Sequence, residues 1–325
     1  MTPSDPYRSC ILCPRTCRVD RTDHGVGPVR GVCGETDRLR VAHVGPHFGE
    51  EPPITGKNGS GTVFFSGCPL RCSYCQNHQI SHDGIGTAIG VRELADQVGA
   101  MVTDHQVHNI NLVTPDHFFP HVFELVSLLR RRGIHLPVVY NLSGYQSAAW
   151  LASAEAFVDI YLPDFKYSDP FLAAALSKCR DYPAVALEAI AVMVRQKGFL
   201  NSPASPETPP ATKGVLVRHL VLPGKIANSI DALTSLFIEF GPDLPVSIMS
   251  QYHPVLKQKD PDLNRRISPN EFEAVLSHAE ALGFENLFVQ FPEETHRQNE
   301  EGPPFLPDFE KHRPFGYTHQ PLKGR

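Results

Sequence analysis

No apolar run in the 325 residues reaches membrane-spanning length, and the start Met1-Thr2-Pro3-Ser4-Asp5-Pro6 lacks both the basic and the apolar parts of a secretory signal. No membrane partner is expected, and the expected compartment is the cytoplasm. A basic stripe is missing too. With 30 Lys and Arg against 35 Asp and Glu, the formal net charge is -5 with mixed signs, the reverse of what a phosphate backbone selects. Nucleic acid is therefore not an expected partner. No internal repeat stands out beyond an alternation of short apolar stretches with longer segments of helical period. Cysteine is scarce and concentrated. Seven of the eight fall in two tight groups, while Cys179 stands alone in a helical stretch and reads as a small buried residue. In a reducing compartment such groups are more often metal ligands than cross-links.

The more informative group is Cys68-Pro69-Leu70-Arg71-Cys72-Ser73-Tyr74-Cys75, directly after the β-branched and aromatic run Thr62-Val63-Phe64-Phe65. Three thiolates in a CxxxCxxC loop can hold a cluster of four irons and leave one iron without a protein ligand, which is a place for chemistry. The competing reading of these three cysteines is a structural zinc site. The other group, Cys10, Cys13 and Cys17 with Cys33 after fifteen more residues, offers four thiolates. Four close a coordination sphere, which suits a structural zinc ion and an auxiliary iron–sulfur cluster alike.

Between residues 58 and 291 the rhythm of strand-like and helix-like segments argues for βα units and a parallel sheet. The strand candidates are Thr62 to Ser66, Ile110 to Val113, Val138 to Asn141, Val158 to Leu162, Val215 to Val221 and Val246 to Met249, with Leu287 to Gln290 as a seventh. Right-handed crossovers at this repeat length curl such a sheet into a partial (β/α)6-type barrel, with chemistry at the carboxyl ends of the strands. Residues 1–57 read as a Cys-rich amino-terminal metal-binding segment with little periodic core. Residues 292–325 read as a tail or strap, and Asn201 to Gly214 as an exposed Pro-rich loop. Polar residues mark the expected strand ends: Asn111 and Thr114, Asn141 and Ser143, Asp164 and Lys166, Arg218 and His219, and Gln251 to His253. A buried Arg218 on an apolar strand is costly without a partner, whereas Asp164 and Lys166 also read as a solvated surface pair. His253 before Pro254 reads equally as a loop cap.

The cysteine loop, with Tyr74 one before its last cysteine, resembles the signature of the radical S-adenosylmethionine (SAM) enzymes. Further stretches narrow the resemblance to the pyruvate formate-lyase activating enzyme homologues: CxLCPRTC from Cys10, EEPPITGKNGSGTVFFSGC from Glu50, NLVTPDH from Asn111, YNLSGY from Tyr140, DIYLPDFKY from Asp159, VRHLVLPG from Val217 and MSQYHP from Met249. The resemblance implies a [4Fe–4S] cluster on Cys68, Cys72 and Cys75 that binds SAM through its open iron. It implies reductive cleavage of SAM to a 5′-deoxyadenosyl radical, and hydrogen abstraction from a glycine of a partner glycyl radical enzyme. A small molecule or peptide is the alternative substrate, and a flavodoxin or ferredoxin the electron donor. By motif, Asp164 and Lys166 would lie beside the cofactor, Arg218 would approach its polar groups, and His253 would lie near its methionine part. Lys166 and His253 would be catalytic, with Thr114 and Asn141 also facing the cofactor. The superfamily's glycine-rich GGE-type segment is here Val113-Thr114-Pro115-Asp116-His117, so the methionine amino group must meet other atoms. A non-catalytic iron–sulfur carrier or zinc-stabilised module is the rival from another class, but a carrier does not need six βα units with polar strand ends.

Overall fold

The computed structural model describes residues 5–22, 29–201, 209–295 and 305–315. Its strands are β1 (Arg40–His47), β2 (Ser60–Phe65), β3 (Thr87–Ala88), β4 (Ile110–Val113), β5 (Val138–Leu142), β6 (Ile160–Pro163), β7 (Gly214–Val215), β8 (Val217–Leu220), β9 (Val246–Met249) and β10 (Leu287–Gln290). The helices between them are α1 (Pro52–Thr55), α2 (His78–Ser81), α3 (Val91–His105), α4 (Phe119–Arg131), α5 (Ala148–Ala154), α6 (Pro170–Ser177), α7 (Tyr182–Lys197), α8 (Ile226–Phe240) and α9 (Pro269–Leu282). Among the described residues, no helix is long and apolar enough to cross a membrane.

One sheet runs β3-β1-β2-β4-β5-β6-β7 and a second β10-β9-β8; from β2 onward, β3 apart, every pairing is parallel. The stretch expected as one strand over Val215 to Val221 divides between the two sheets at Leu216. They stay joined there by a parallel bridge between Asp164 and Arg218 and by Phe165 N–H donating to the Arg218 carbonyl at 2.8 Å. The result is the expected α/β architecture, a mostly parallel sheet curled into a partial barrel with helices outside. Side chains alternate across it. Val63, Phe65, Leu112, Tyr140 and Tyr161 join the helix-facing core, while Val139, Ile160, Leu162 and Leu216 form a separate inner cluster.

Two flanking segments complete the barrel. β1, from the stretch expected to stand apart as the amino-terminal segment, pairs antiparallel with β2 so that His47 faces Ser60. The chain then turns beneath the strands' amino ends and sends α1 inside. Ile54, fully buried, joins the inner cluster with Phe288 of β10, a burial worth about 1.5–3 kcal/mol. Asn109 Nδ2 donates to the Ile54 carbonyl and Ala211 N–H to that of Pro53, each at 2.8 Å, so the plug's backbone is satisfied. On the open side, Phe309 and Phe315 each lie 5.3 Å from the inward ring of Phe64. Gln79 accepts from Phe309 N–H at 2.8 Å. The remainder of the tail, 296–304 and 316–325, lies outside the described residues, as do residues 202–208 of the Pro-rich loop.

Candidate active site

The CxxxCxxC loop leaves the carboxyl end of β2, where parallel-barrel chemistry is expected. Hydroxyls serve its sulfurs: Ser177 Oγ donates to Cys72 Sγ at 3.1 Å and Ser81 Oγ to Cys75 Sγ at 3.3 Å. The Tyr167 hydroxyl lies 2.7 Å from that of Ser177 and 2.9 Å from that of Tyr74, which ties the loop to the stretch after β6. Burial pushes the thiols of Cys68 and Cys75 up, the latter to about 11, so metal binding would release their protons. Soft sulfur donors presented with hydroxyl partners fit an iron–sulfur cluster. Among the described residues, neither cysteine group is gathered as a single-ion site. Ligands of a four-iron cluster sit on separate irons and need not converge on one point.

Beside the loop lies a nearly dry charge network. Asp164 accepts from Lys166 Nζ on one oxygen at 2.5 Å and from Arg218 Nε on the other at 3.2 Å. Arg218 also donates from Nη1 to Glu50 Oε2 at 3.2 Å and from Nη2 to Asn141 Oδ1. Glu50 Oε1 accepts from Asn111 Nδ2 at 3.0 Å and Asn141 Nδ2 at 3.4 Å, and lies 3.4 Å from His47 Nδ1. Burial alone would raise the carboxyls of Asp164 and Glu50. Lys166 and Arg218 outweigh it at Asp164, and His47 and Arg218 at Glu50, so both are held below the usual carboxylate range. Burial would strip Lys166 of its proton, but Asp164, and next the charge of Cys72, hold its pKa above the ordinary value. That coupling to Cys72 places the network beside the cysteine loop. Asp164, Lys166, Arg218 and Asn141 are thus brought together as the sequence suggests.

Two backbone features shape this corner. Thr114 has a φ of 56°, a left-handed conformation that is strained for a β-branched residue, and its N–H donates to the Asn141 carbonyl at 2.9 Å. The bend thus has left-handed backbone of the kind glycine favours, without glycine. The Tyr182 hydroxyl is a hub: its single proton is shared between the carbonyls of Ser143 and Asp164, and its oxygen accepts from Lys166 N–H, all at 2.9 Å. His253 lies on the stretch after β9 that covers the cysteine loop. There Gln76 Nε2 donates to the Gln251 carbonyl at 2.5 Å, and Gln258 Nε2 to that of Ser73 at 2.8 Å.

The amino-terminal cysteines dock against the same loop. Cys68 N–H donates to the Cys33 carbonyl at 3.1 Å, and Arg15 donates to the carbonyls of Pro69, Leu70, Ser177 and Lys178. Arg21, fully buried, donates to Cys10 Sγ at 3.4 Å and to the His117 carbonyl at 3.0 Å. Cys10 acts electrostatically on both Cys13 and Cys33, Cys33 acts on Cys13, and Cys17 packs against the cluster of Tyr7, Cys10 and Leu12. Asp116, which burial pushes up to about 7, acts electrostatically on both Cys13 and Cys68. Cys179 is buried, as expected.

Sequence reasoning missed Glu50, His47, Tyr182 and Asp116 as parts of the site. Only the EEPP stretch and the NLVTPDH motif pointed near them.

The chain is 27% identical over 295 residues to an uncharacterised protein, MJ0674, of Methanocaldococcus jannaschii, covering 87% of this chain and 77% of that protein. Among solved structures it is similar to methylornithine synthase, PylB, with a TM-score of 0.39 and 13% identity over 71% of each chain. It is also similar to Streptococcus suis SuiB bound to S-adenosylmethionine, with a TM-score of 0.46 and 10% identity over 69% of this chain and 48% of that one. The family model of the radical SAM superfamily matches residues 62–201, from β2 through the cysteine loop and Asp164 to the end of α7. Over residues 62–201 the chain therefore matches the radical SAM superfamily, and the three-cysteine loop lies within the matched segment.

Proposed function

We propose that the protein binds one [4Fe–4S] cluster through Cys68, Cys72 and Cys75, cleaves SAM reductively, and uses the cleavage to abstract a hydrogen atom from a substrate. The observation that carries this is the placement of Asp164 and Lys166 beside the three-cysteine loop, with Lys166 electrostatically coupled to Cys72. When bound, the cluster supplies an electron to the sulfonium of SAM; that electron comes from an external donor such as a flavodoxin or ferredoxin. This chain's residues bind and orient. Lys166 is the cation for the cofactor's carboxylate, Asp164 the anion for its ammonium, Asn141, Thr114 and Arg218 complete the polar wall, and His253 covers the methionine end. The amino-terminal cysteines, Cys10, Cys13, Cys17 and Cys33, would hold an auxiliary cluster on separate irons, or a zinc ion once they draw together on it; the backbone contact of Cys33 with Cys68 supports a structural or electron-transferring role.

The motif resemblance alone points to a glycyl radical enzyme as the hydrogen donor. A small molecule or short peptide is the second reading. It is favoured by the filling of the barrel interior by residues 50–55 and by the cover of its side by residues 305–315. Anaerobic reconstitution, followed by an assay for 5′-deoxyadenosine under strong reductant, tests the main proposal. A protein that assembles the cluster yet never forms 5′-deoxyadenosine would be a carrier instead.

A further inference from the structure

Charge counting at the strand ends leaves one cation without a counter-ion. Lys166 and Arg218 share the single carboxylate of Asp164, one on each oxygen, within side chains only 12–16% exposed. A buried guanidinium with half a counter-charge is costly. Glu51 also acts electrostatically on Arg218, but burial pushes its carboxyl up, toward the neutral form. The missing negative charge therefore comes from Glu50, the carboxylate in direct contact with Arg218, which belongs to neither the family-matched segment nor any strand. It reaches into the barrel between β1 and α1, and its two oxygens touch groups from three strands: Asn111 of β4, Asn141 of β5 and Arg218 of β8. Its side chain is 6% exposed. Thr55 Oγ1, donating to the Glu50 carbonyl at 2.8 Å, fixes the backbone from which it projects.

Resting on the cofactor reading above, we infer that Glu50 is the positioning counter-ion of the SAM site: it holds Arg218 so that the Asp164–Lys166 pair can open to take the cofactor. Without ligand, Asp164 and Lys166 satisfy each other. A zwitterionic amino-acid group would offer an ammonium to Asp164 and a carboxylate to Lys166, exchanging one internal pair for two external ones. That exchange draws Asp164 away from Arg218. With Glu50 ionised against it, Arg218 keeps a full counter-charge and the exchange is close to balanced. With Glu50 neutral, Arg218 competes with the ligand ammonium for Asp164, and the pair stays shut. Glu50 touches neither the cofactor nor the cluster in this scheme; it acts through Arg218 and Asn141.

The test is equilibrium SAM binding to the anaerobically reconstituted protein, followed by the change SAM causes in the electron paramagnetic resonance spectrum of the reduced cluster. Glu50→Gln keeps the shape and removes the charge, and is expected to weaken SAM binding by about tenfold or more at unchanged cluster content. Ile54→Val trims the apolar packing of the same plug and leaves every charge and hydrogen bond in place. It should lower thermal stability while keeping SAM affinity within about twofold of wild type. Wild-type affinity in Glu50→Gln, or equal weakening by Ile54→Val, overturns the inference. Where Glu50→Gln yields no loaded protein, Glu50→Asp carries the test: charge is retained, so SAM affinity should stay within about threefold of wild type, and a larger loss overturns it. A wild-type cluster that gives no spectral change with SAM overturns the cofactor reading itself, and this inference with it.

Discussion

Gly144 and Gly133 share a backbone angle and differ in surroundings, which makes them a matched pair for separating strain from contact. Their φ values are 81° and 82°. A Cβ at Gly133 would meet nothing within 4 Å, whereas one at Gly144 would lie 2.0 Å from the Asp164 carbonyl oxygen and 2.7 Å from the Tyr182 hydroxyl. Gly133→Ala thus carries only the left-handed penalty, about 1–2 kcal/mol. Gly144→Ala carries the same penalty plus overpacking against a backbone atom, about 1–3 kcal/mol more, because a carbonyl cannot swing aside as a side chain can. To reach ordinary contact the Asp164 carbonyl must recede by about 1.4 Å, and it carries the Asp164–Lys166 stretch and the Tyr182 hub with it. A displacement of that size at a reacting centre costs about a hundredfold in rate. Urea unfolding followed by circular dichroism, together with SAM-cleavage turnover at a temperature where each variant is folded, reads both effects. Gly144→Ala should lose roughly twice the stability of Gly133→Ala and nearly all turnover, with Gly133→Ala fully active. Equal losses of stability, or an active Gly144→Ala, would refute the assignment of Asp164 and Lys166 to the site.

Cys72→Ala should lose most of the iron–sulfur absorbance near the visible charge-transfer bands and all 5′-deoxyadenosine formation; retention of a full cluster and activity overturns the ligand assignment. In a protein lacking Cys68, Cys72 and Cys75, metal analysis reports the amino-terminal site alone. About one zinc per chain supports a structural ion and iron with sulfide an auxiliary cluster, while neither would show that those four cysteines hold no metal. His219 is buried and neutral: Nδ1–H donates to the Phe165 carbonyl at 2.7 Å, Nε2 accepts from Ser229 Oγ at 2.9 Å, and burial lowers its pKa from 6.5 to about 4. Because the folded value is depressed, this contribution is complete above pH 6.5 and fades as pH falls toward 4, by about 3 kcal/mol. His219→Gln should flatten the stability curve in that window, and an unchanged slope counts against the assignment. Below it, the depressed carboxyls of Asp164 and Glu50 add a second acid loss, which Asp164→Asn should remove in part.

What the sequence showed was whatever repeats along the chain or clusters within a few residues. Seven apolar stretches appear close to their expected places, and the cysteine loop sits at the end of its strand. Asp164, Lys166, Arg218 and Asn141 were legible because each ends or occupies a strand, and parallel strands bring their carboxyl ends to one rim. Glu50 was not legible as a site residue. It lies in a Pro- and Gly-rich stretch with no periodicity, and apart from His47 its partners stand 61, 91 and 168 residues away. The strand Arg40–His47 was hidden for a related reason: Gly45 and Pro46 interrupt its pattern, and only β2 beside it makes it a strand. The left-handed turn at Thr114 was also invisible, since a threonine there goes against local preference and is held by the Asn141 carbonyl.

The charge balance at the strand ends crosses the boundary of the segment that matches the radical SAM superfamily in both directions. Residues 62–201 supply Asp164, Lys166, Asn111 and Asn141, which carry two charges that cancel. Arg218 enters from the strand that follows and breaks that neutrality, and Glu50 enters from the plug that precedes and restores it. Neither addition is stable without the other in so dry a place, because an unpaired buried charge costs several kcal/mol, while a pair with three amide and imidazole partners largely offsets its own desolvation. The two flanks are therefore coupled: with Asp164 already shared with Lys166, an arginine on β8 calls for a second anion inside the barrel, and the stretch before α1 brings it. The same plug that brings the anion also packs Ile54 into the inner cluster of the barrel, so the charge balance at the strand ends and the filling below them have one structural cause.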